Sequence, residues 1–141
     1  MRLFLYGTLM GDAATPMARW LADRVRTAIP AVAPGRMIAI PSSSGWFPAM
    51  LPGTGRISGI SAEIDLAPGD LARLDRYEGR EYRRVAIRVR QRCDYARNTA
   101  TAQAYLWRAT VPDRARTVPG GDFLAWLDQV GAPILASRNG R

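Results

Sequence analysis

The chain of 141 residues contains neither lysine nor histidine. All 20 of its basic residues are arginine, and its 12 acidic residues divide into nine aspartates and three glutamates, Glu63, Glu78 and Glu81. These absences remove most of the common catalytic apparatus. A Ser-His-Asp or Cys-His arrangement cannot form within one chain, nor can a Schiff-base lysine or the lysine of a phosphate-binding P-loop. The single cysteine, Cys93, excludes an internal disulfide and any zinc site built on histidine or clustered cysteine. Acid–base chemistry here has to come from a carboxylate, a tyrosine, a hydroxyl or the lone thiol.

Long apolar runs are missing as well. No stretch approaches the roughly 20 apolar residues of a membrane helix. The opening Met1-Arg2-Leu3-Phe4-Leu5-Tyr6 starts like a signal peptide, but Gly7 interrupts it and no small-residue cleavage site follows. A cytoplasmic protein with no membrane partner is expected. What is present, 48% hydrophobic and 23% charged residues with a net charge of +8, describes a globular chain. No repeat or linker divides it. One domain is expected over 1–133, with 134–141 as a flexible tail.

The elements follow from local patterns. Residues 2–6 read as a short buried strand ending at Gly7. Thr15-Pro16 is an N-cap followed by proline at the first helical position, and Met17, Trp20, Leu21 and Val25 extend a helix over 16–26. Apolar pieces at 35–40 and 46–51 flank a loop, Pro41-Ser42-Ser43-Ser44-Gly45. Over 56–66, Ile60, Ala62, Ile64 and Leu66 alternate with Ser61, Glu63 and Asp65, a strand. Pro68-Gly69-Asp70 opens a short helix that stops at Gly79. Strands follow over 82–92 and about 100–107, and a last helix starts at Asp122. The order β-α-β-β-β-α-β-β-α is mixed α/β, with connections too short for repeated parallel crossovers. It predicts a small twisted mixed β-barrel with short flanking helices.

Two segments could carry chemistry. Tyr6-Gly7-Thr8-Leu9 is a glycine turn at a strand end, where backbone N–H groups can hold an anion. Leu74-Asp75-Arg76-Tyr77-Glu78-Gly79-Arg80-Glu81-Tyr82-Arg83-Arg84 delivers Glu78 at a helix–strand junction, either into a cavity or onto an arginine-neutralised surface. Glu81 reads as a solvated ion-pair partner and Asp75 as structural, through bonds to nearby backbone. Glu63 is left open for an auxiliary role, and Cys93 reads as a free thiol.

Together the Tyr-Gly-Thr-Leu turn, the Gly59-to-Ile64 strand and Leu-Asp-x-Tyr-Glu-Gly-x-x-Tyr-x-Arg at 74–84 resemble the γ-glutamylcyclotransferase-like family, including its AIG2-like and γ-glutamylamine cyclotransferase branches. The segment Trp46-Phe47-Pro48-Ala49-Met50-Leu51-Pro52-Gly53 and the late Gly121-Asp122-Phe123 are similar to family patterns too. The resemblance implies a small mixed barrel with Glu78 as general acid/base. It implies substrate binding by the backbone of Tyr6, Gly7, Thr8 and Leu9, and by Tyr82 and Tyr105. The implied reaction closes a γ-glutamyl group into 5-oxoproline: the substrate's own α-amine attacks its γ-carbonyl and an amine leaves. No cofactor and no metal are implied, and the partner is a small γ-glutamyl molecule. Loops at 41–53 and 108–121 are expected to shape the leaving-group side.

Two other readings compete. One is a catalytically inactive module of the same fold that binds a small ligand. The other rests on Arg84, Arg88, Arg90 and Arg92, which alternate with Val85, Ile87 and Val89. That stripe is expected to be a solvated sheet face, with a nucleic-acid-binding surface as the alternative. Steep loss of affinity with salt would mark the latter.

Overall fold

The computed structural model describes residues 1–7, 15–43, 45–92 and 97–131. In chain order the elements are β1 (Arg2–Leu5), α1 (Pro16–Ala22), β2 (Val25–Ser42), β3 (Gly45–Ile64), α2 (Asp70–Glu78), β4 (Tyr82–Arg92), β5 (Arg97–Trp107), β6 (Arg116–Thr117) and α3 (Phe123–Val130). Strand pairing runs β3–β1–β5–β4–β2 and returns from β2 to β3, closing a five-stranded barrel. The two-residue β6 hangs on β2 opposite Ile38 and Ala39. The ring is mixed: β1 is antiparallel to β3 but parallel to β5, where Leu3 faces Gln103. The mixed α/β barrel with short flanking helices is therefore what the chain forms.

Several boundaries differ from the sequence reading, each for a local reason. Helix α1 ends at Ala22 rather than 26, although Thr15 Oγ1 accepts the Ala18 N–H at 3.2 Å as the capping pattern predicts. Val25, Thr27 and Ile29 are β-branched and pair with Ile64, Glu63 and Ser61 of β3, so the chain turns into a strand there. The pieces at 35–40, 46–51 and 56–66 are not three strands. They belong to two, β2 and β3, of 18 and 20 residues, joined by a tight hairpin in which Ser42 faces Gly45. The expected loop at 41–53 is accordingly mostly strand. The observed order is β-α-β-β-α-β-β-β-α, with the sixth strand moved from the middle of the chain to β6.

Closure explains why alternation gave only half of the burial pattern. In the 56–66 segment the polar-face residue Ser61 is only 3% exposed, and its hydroxyl pairs with Gln91 Oε1 at 2.6 Å. A flat sheet would have left that face to water; a barrel covers both. One core cluster places Leu3, Leu5, Ala62 and Ile64 with Leu21 of α1 and Leu74 of α2. The other gathers Phe4, Ala33, Met50, Val89 and Ala104 with Phe123 and Trp126 of α3. Asp122, where the sequence pattern starts the last helix, is the N-cap of α3 and accepts the Ala125 N–H at 3.1 Å. No helix among the described residues is long and apolar enough to cross a membrane.

Candidate active site

Helix α2 places the central residues. Its start has no side-chain cap from Gly69; instead Asp70 reaches back, and its Oδ2 accepts the Ala67 N–H at 2.9 Å. The same carboxylate accepts Arg24 Nε at 3.0 Å, tying α2 to the end of α1. The Ala67 hydrogen bond, followed by Arg24, holds the Asp70 carboxyl below its ordinary range. Leu74, fully buried, pins the middle of the helix to the barrel. The helix stops where Gly79 takes φ 94°, a conformation a side chain would strain, and its N–H closes on the Asp75 carbonyl at 3.1 Å. Glu78 is thus the last helical residue, half-buried, one position before the break.

From this helix Asp75 faces the start of the β4–β5 ribbon, where Arg84 lies opposite Tyr105. Arg84 Nε donates to Asp75 Oδ1 at 3.1 Å and Arg84 Nη1 to Gln103 Oε1 at 3.2 Å. Tyr105 OH donates to the same Asp75 oxygen at 2.6 Å. Asp75 was expected to bond nearby backbone; it bonds two side chains of the barrel instead. Burial raises the Tyr105 pKa, reinforced by the Asp75 hydrogen bond and by the negative charges of Asp75 and Glu78. The phenol therefore keeps its proton at neutral pH and serves as a donor. Arg84 is in turn held protonated above its usual range, chiefly by Asp75.

The remaining predicted residues fall around the same strands. Tyr6, directly after β1, is buried and its OH donates to the Tyr105 carbonyl. Tyr82, at the first position of β4, is buried edge-on against Trp107, with ring centroids 5.2 Å apart, and its OH donates to the Pro48 carbonyl. Gly7 packs so closely on Pro48 that any β-carbon there would collide with the proline ring. Thus the structure joins Tyr6 to Tyr105, and brings both Gly7 and Tyr82 against Pro48. Thr8, Leu9, Cys93 and the tail 134–141 lie outside the described residues.

An open cleft of about 680 Å³ lies beside this cluster, lined by Asp75, Gly79, Tyr82, Arg84 and Tyr105 together with Arg76, Arg80, Arg83 and Arg108. Its cationic lining suits an anionic small molecule. Of the segment 108–121 expected to shape the site, Arg108 contributes; its Nε also fixes the Arg80 carbonyl at 2.7 Å. Glu81 is half-buried, and its carbonyl accepts the Arg108 N–H at 2.8 Å. Glu63 lies elsewhere: Arg2 Nη2 meets it at 2.9 Å and the Met1 ammonium at 3.7 Å, at the outer end of β1. Three partners escaped the sequence reading as site residues: Asp75, Arg84 and Pro48. For Arg84 the signal was its position two residues after Tyr82, on the same strand face. No group of three or more metal-ligating side chains occurs among the described residues.

Residues 3–125 match the family model described as gamma-glutamyl cyclotransferase, AIG2-like. The chain belongs to this family. No curated protein matches it. Among solved structures it is similar to an uncharacterized protein from Pyrococcus horikoshii, at 19% identity and a TM-score of 0.62, over 93% of this chain and 97% of that one. It is similar to an AIG2-like protein from Mus musculus, at 18% identity and a TM-score of 0.58, over 98% and 87% of the two chains. A gamma-glutamyl cyclotransferase aligns at 16% identity and a TM-score of 0.59, over 100% and 92%. At these identities the solved structures establish the fold of this gamma-glutamyl cyclotransferase-like chain. Family membership itself rests on the match over 3–125. Cyclotransferase activity on small γ-glutamyl substrates is the activity of the family in general.

Proposed function

We propose that this chain cyclises the γ-glutamyl group of a small γ-glutamyl amide or peptide to 5-oxoproline, with Glu78 as the general acid/base. The observation that supports the reading is the position of Glu78: the last residue of α2, half-buried, directly before Gly79, which lines the cationic cleft. In a chain without histidine or lysine, a carboxylate at that junction is the group best placed to move a proton.

The steps balance without any added reactant. Glu78 takes a proton from the substrate's α-ammonium. The freed amine attacks the γ-carbonyl carbon, closing a five-membered ring as the C–N bond forms. The bond from that carbon to the leaving nitrogen then breaks: Glu78 returns its proton to the departing nitrogen, and the second proton, shed by the attacking nitrogen as it becomes the lactam N–H, leaves the released amine as an ammonium. Attack is intramolecular, so holding the glutamyl chain bent supplies much of the rate. Backbone N–H groups of Tyr6, Gly7, Thr8 and Leu9 hold the glutamyl carboxylate. Gly7 is suited to this because, having no β-carbon, it packs directly against Pro48. Tyr82 and Tyr105 line the substrate side, their rings braced by Trp107 and Asp75 respectively. The reaction takes place in the cytoplasm.

The test is 5-oxoproline release from a panel of γ-glutamyl amines and peptides by wild type and by Glu78→Gln. Wild type is expected to turn over at least one of them, and the variant to lose about 10²–10⁴-fold in kcat. Equal turnover by both forms would remove Glu78 as the base. Binding without turnover by wild type would make the chain a ligand-binding module.

A further inference from the structure

A second cleft, of about 310 Å³, opens on the barrel wall where β2 runs between β3 and β4. In the registers Val32↔Arg90 and Pro34↔Arg56, the outward side chains of β2 are flanked by Arg56 on one side and by Arg88 and Arg90 on the other. Ala33 and Val89, which alternate with them, point into the core and are buried. Thr99 of β5 faces Arg90 across the next ladder. The cleft begins four to six residues beyond Arg84 on β4, about 13–20 Å along the strand, so it is separate from the candidate active site.

Two independent features suit it to an anion. The first is charge. Arg2, Arg24, Arg26 and Arg84 each meet a carboxylate at 2.9–3.1 Å. Among the described residues Arg56, Arg88 and Arg90 meet none. Arg88 and Arg90 are also two residues apart on one strand face, about 6–7 Å, a like-charge spacing that costs stability until an anion lies between them. The second is backbone. The β2–β3 register jumps from Pro34↔Arg56 to Arg36↔Leu51, so Pro52-Gly53-Thr54-Gly55 bulges out without partners on β2. Thr54 and Gly55 of this bulge line the cleft. Thr54 thus brings a hydroxyl-bearing residue to the three arginines, chemistry suited to phosphate oxygens.

We propose that this cleft binds a diphosphate group. Three guanidiniums lining one cleft with no carboxylate among them call for more negative charge than one carboxylate carries. The lining holds no aromatic and no acidic side chain. A nucleobase would find nothing to stack on there, so recognition ends at the phosphates rather than extending to single-stranded RNA. A free pyrophosphate and the diphosphate of a nucleotide present the same chemistry to it.

Calorimetry on the full chain at 0.15 M salt tests this with pyrophosphate, ADP, orthophosphate and oligouridylate. Pyrophosphate is expected to bind at one site, about tenfold or more tighter than orthophosphate. The Arg56→Gln/Arg88→Gln double variant should weaken it by at least about tenfold, while Arg26→Gln, at an exposed ion pair, should not. ADP binding as well as pyrophosphate assigns the diphosphate of a nucleotide; pyrophosphate alone assigns the free ion. Equal weakening by Arg26→Gln, or oligouridylate binding where pyrophosphate does not, overturns the proposal. If the double variant does not fold, amide shifts of the wild type on pyrophosphate addition decide. They must fall on Gly53–Arg56 and Arg88–Arg90; shifts confined to Asp75–Arg84 refute the site.

Discussion

Arg84 and Arg88 stand four residues apart on the same face of the same strand, in surroundings that have little in common. Arg84 is half-buried, bonded to Asp75 and Gln103, and belongs to a cluster of side chains that hold one another in place. Arg88, Arg90 and Arg92 are exposed. Alternation along β4 treats all four alike. The difference comes from α2, whose fully buried Leu74 docks it over the first residues of the ribbon and brings Asp75 with it. Beyond the reach of that helix the strand face is open. A stripe of identical residues thus meets two environments: at one end a helix that brings a carboxylate, at the other a strand bulge with no acidic side chain beside it.

Undocking the helix should abolish the contrast, and it is the largest effect we expect. Leu74→Ala removes the buried anchor and should cost about 2–5 kcal/mol in chemical denaturation. It should also lower any 5-oxoproline release, because Glu78 rides on the same helix. A loss under 0.5 kcal/mol would mean that α2 is held by something other than its apolar contact.

The next comparison is between the arginines themselves. Arg84→Ala leaves Asp75 with Tyr105 as its bonded side-chain partner and should cost about 1–2 kcal/mol, discounted because the pair is partly solvated. A double-mutant cycle with Asp75→Asn should return a coupling of about 0.5–1 kcal/mol. Arg90→Ala should stay within about 0.5 kcal/mol of wild type. Equal costs at 84 and 90 would erase the distinction between the two ends.

The smallest expected effect lies at the start of α2. The folded-state pKa of Asp70 is lowered, so its contribution to stability is full above the ordinary carboxylate range, near 4, and fades as pH falls through the folded value. Asp70→Asn should therefore reduce the melting temperature at pH 7, and its gap from wild type should narrow below about pH 4. A gap that stays constant with pH would show that the Ala67 and Arg24 bonds do not depend on the charge.

How much of this was legible in the sequence follows from which interactions are local. Thr15 as a cap, Asp122 as the place where the last helix begins, Gly79 as a helix stop and the limits of β4 were readable because each depends on a few neighbouring residues. The long β2–β3 hairpin was not. Its prolines and glycines at 34–35, 41, 48 and 52–55 look like loop signals, and only pairing between residues far apart makes strands of them. The same holds for the site. Glu78 and its glycine form a contiguous motif, while the Asp75–Arg84–Tyr105 contact joins a helix to two strands and leaves no contiguous signature. Ser61 was placed on a polar face because alternation cannot tell an open sheet from a closed one.

The short strand β1 has one more consequence, for the time course of folding. It is the stave that pairs with β3 on one side and β5 on the other, and the Tyr6–Tyr105 bond beside it joins residues 99 apart in the chain. Such distant partners meet only after the hairpins that carry them exist, so β1 is set to enter late and to fold slowly relative to local contacts. The turn at Tyr6-Gly7 follows β1 directly. The Tyr6–Tyr105 bond should then form in the same kinetic step that shuts the barrel, and on the proposed function substrate binding by this turn would wait for that step.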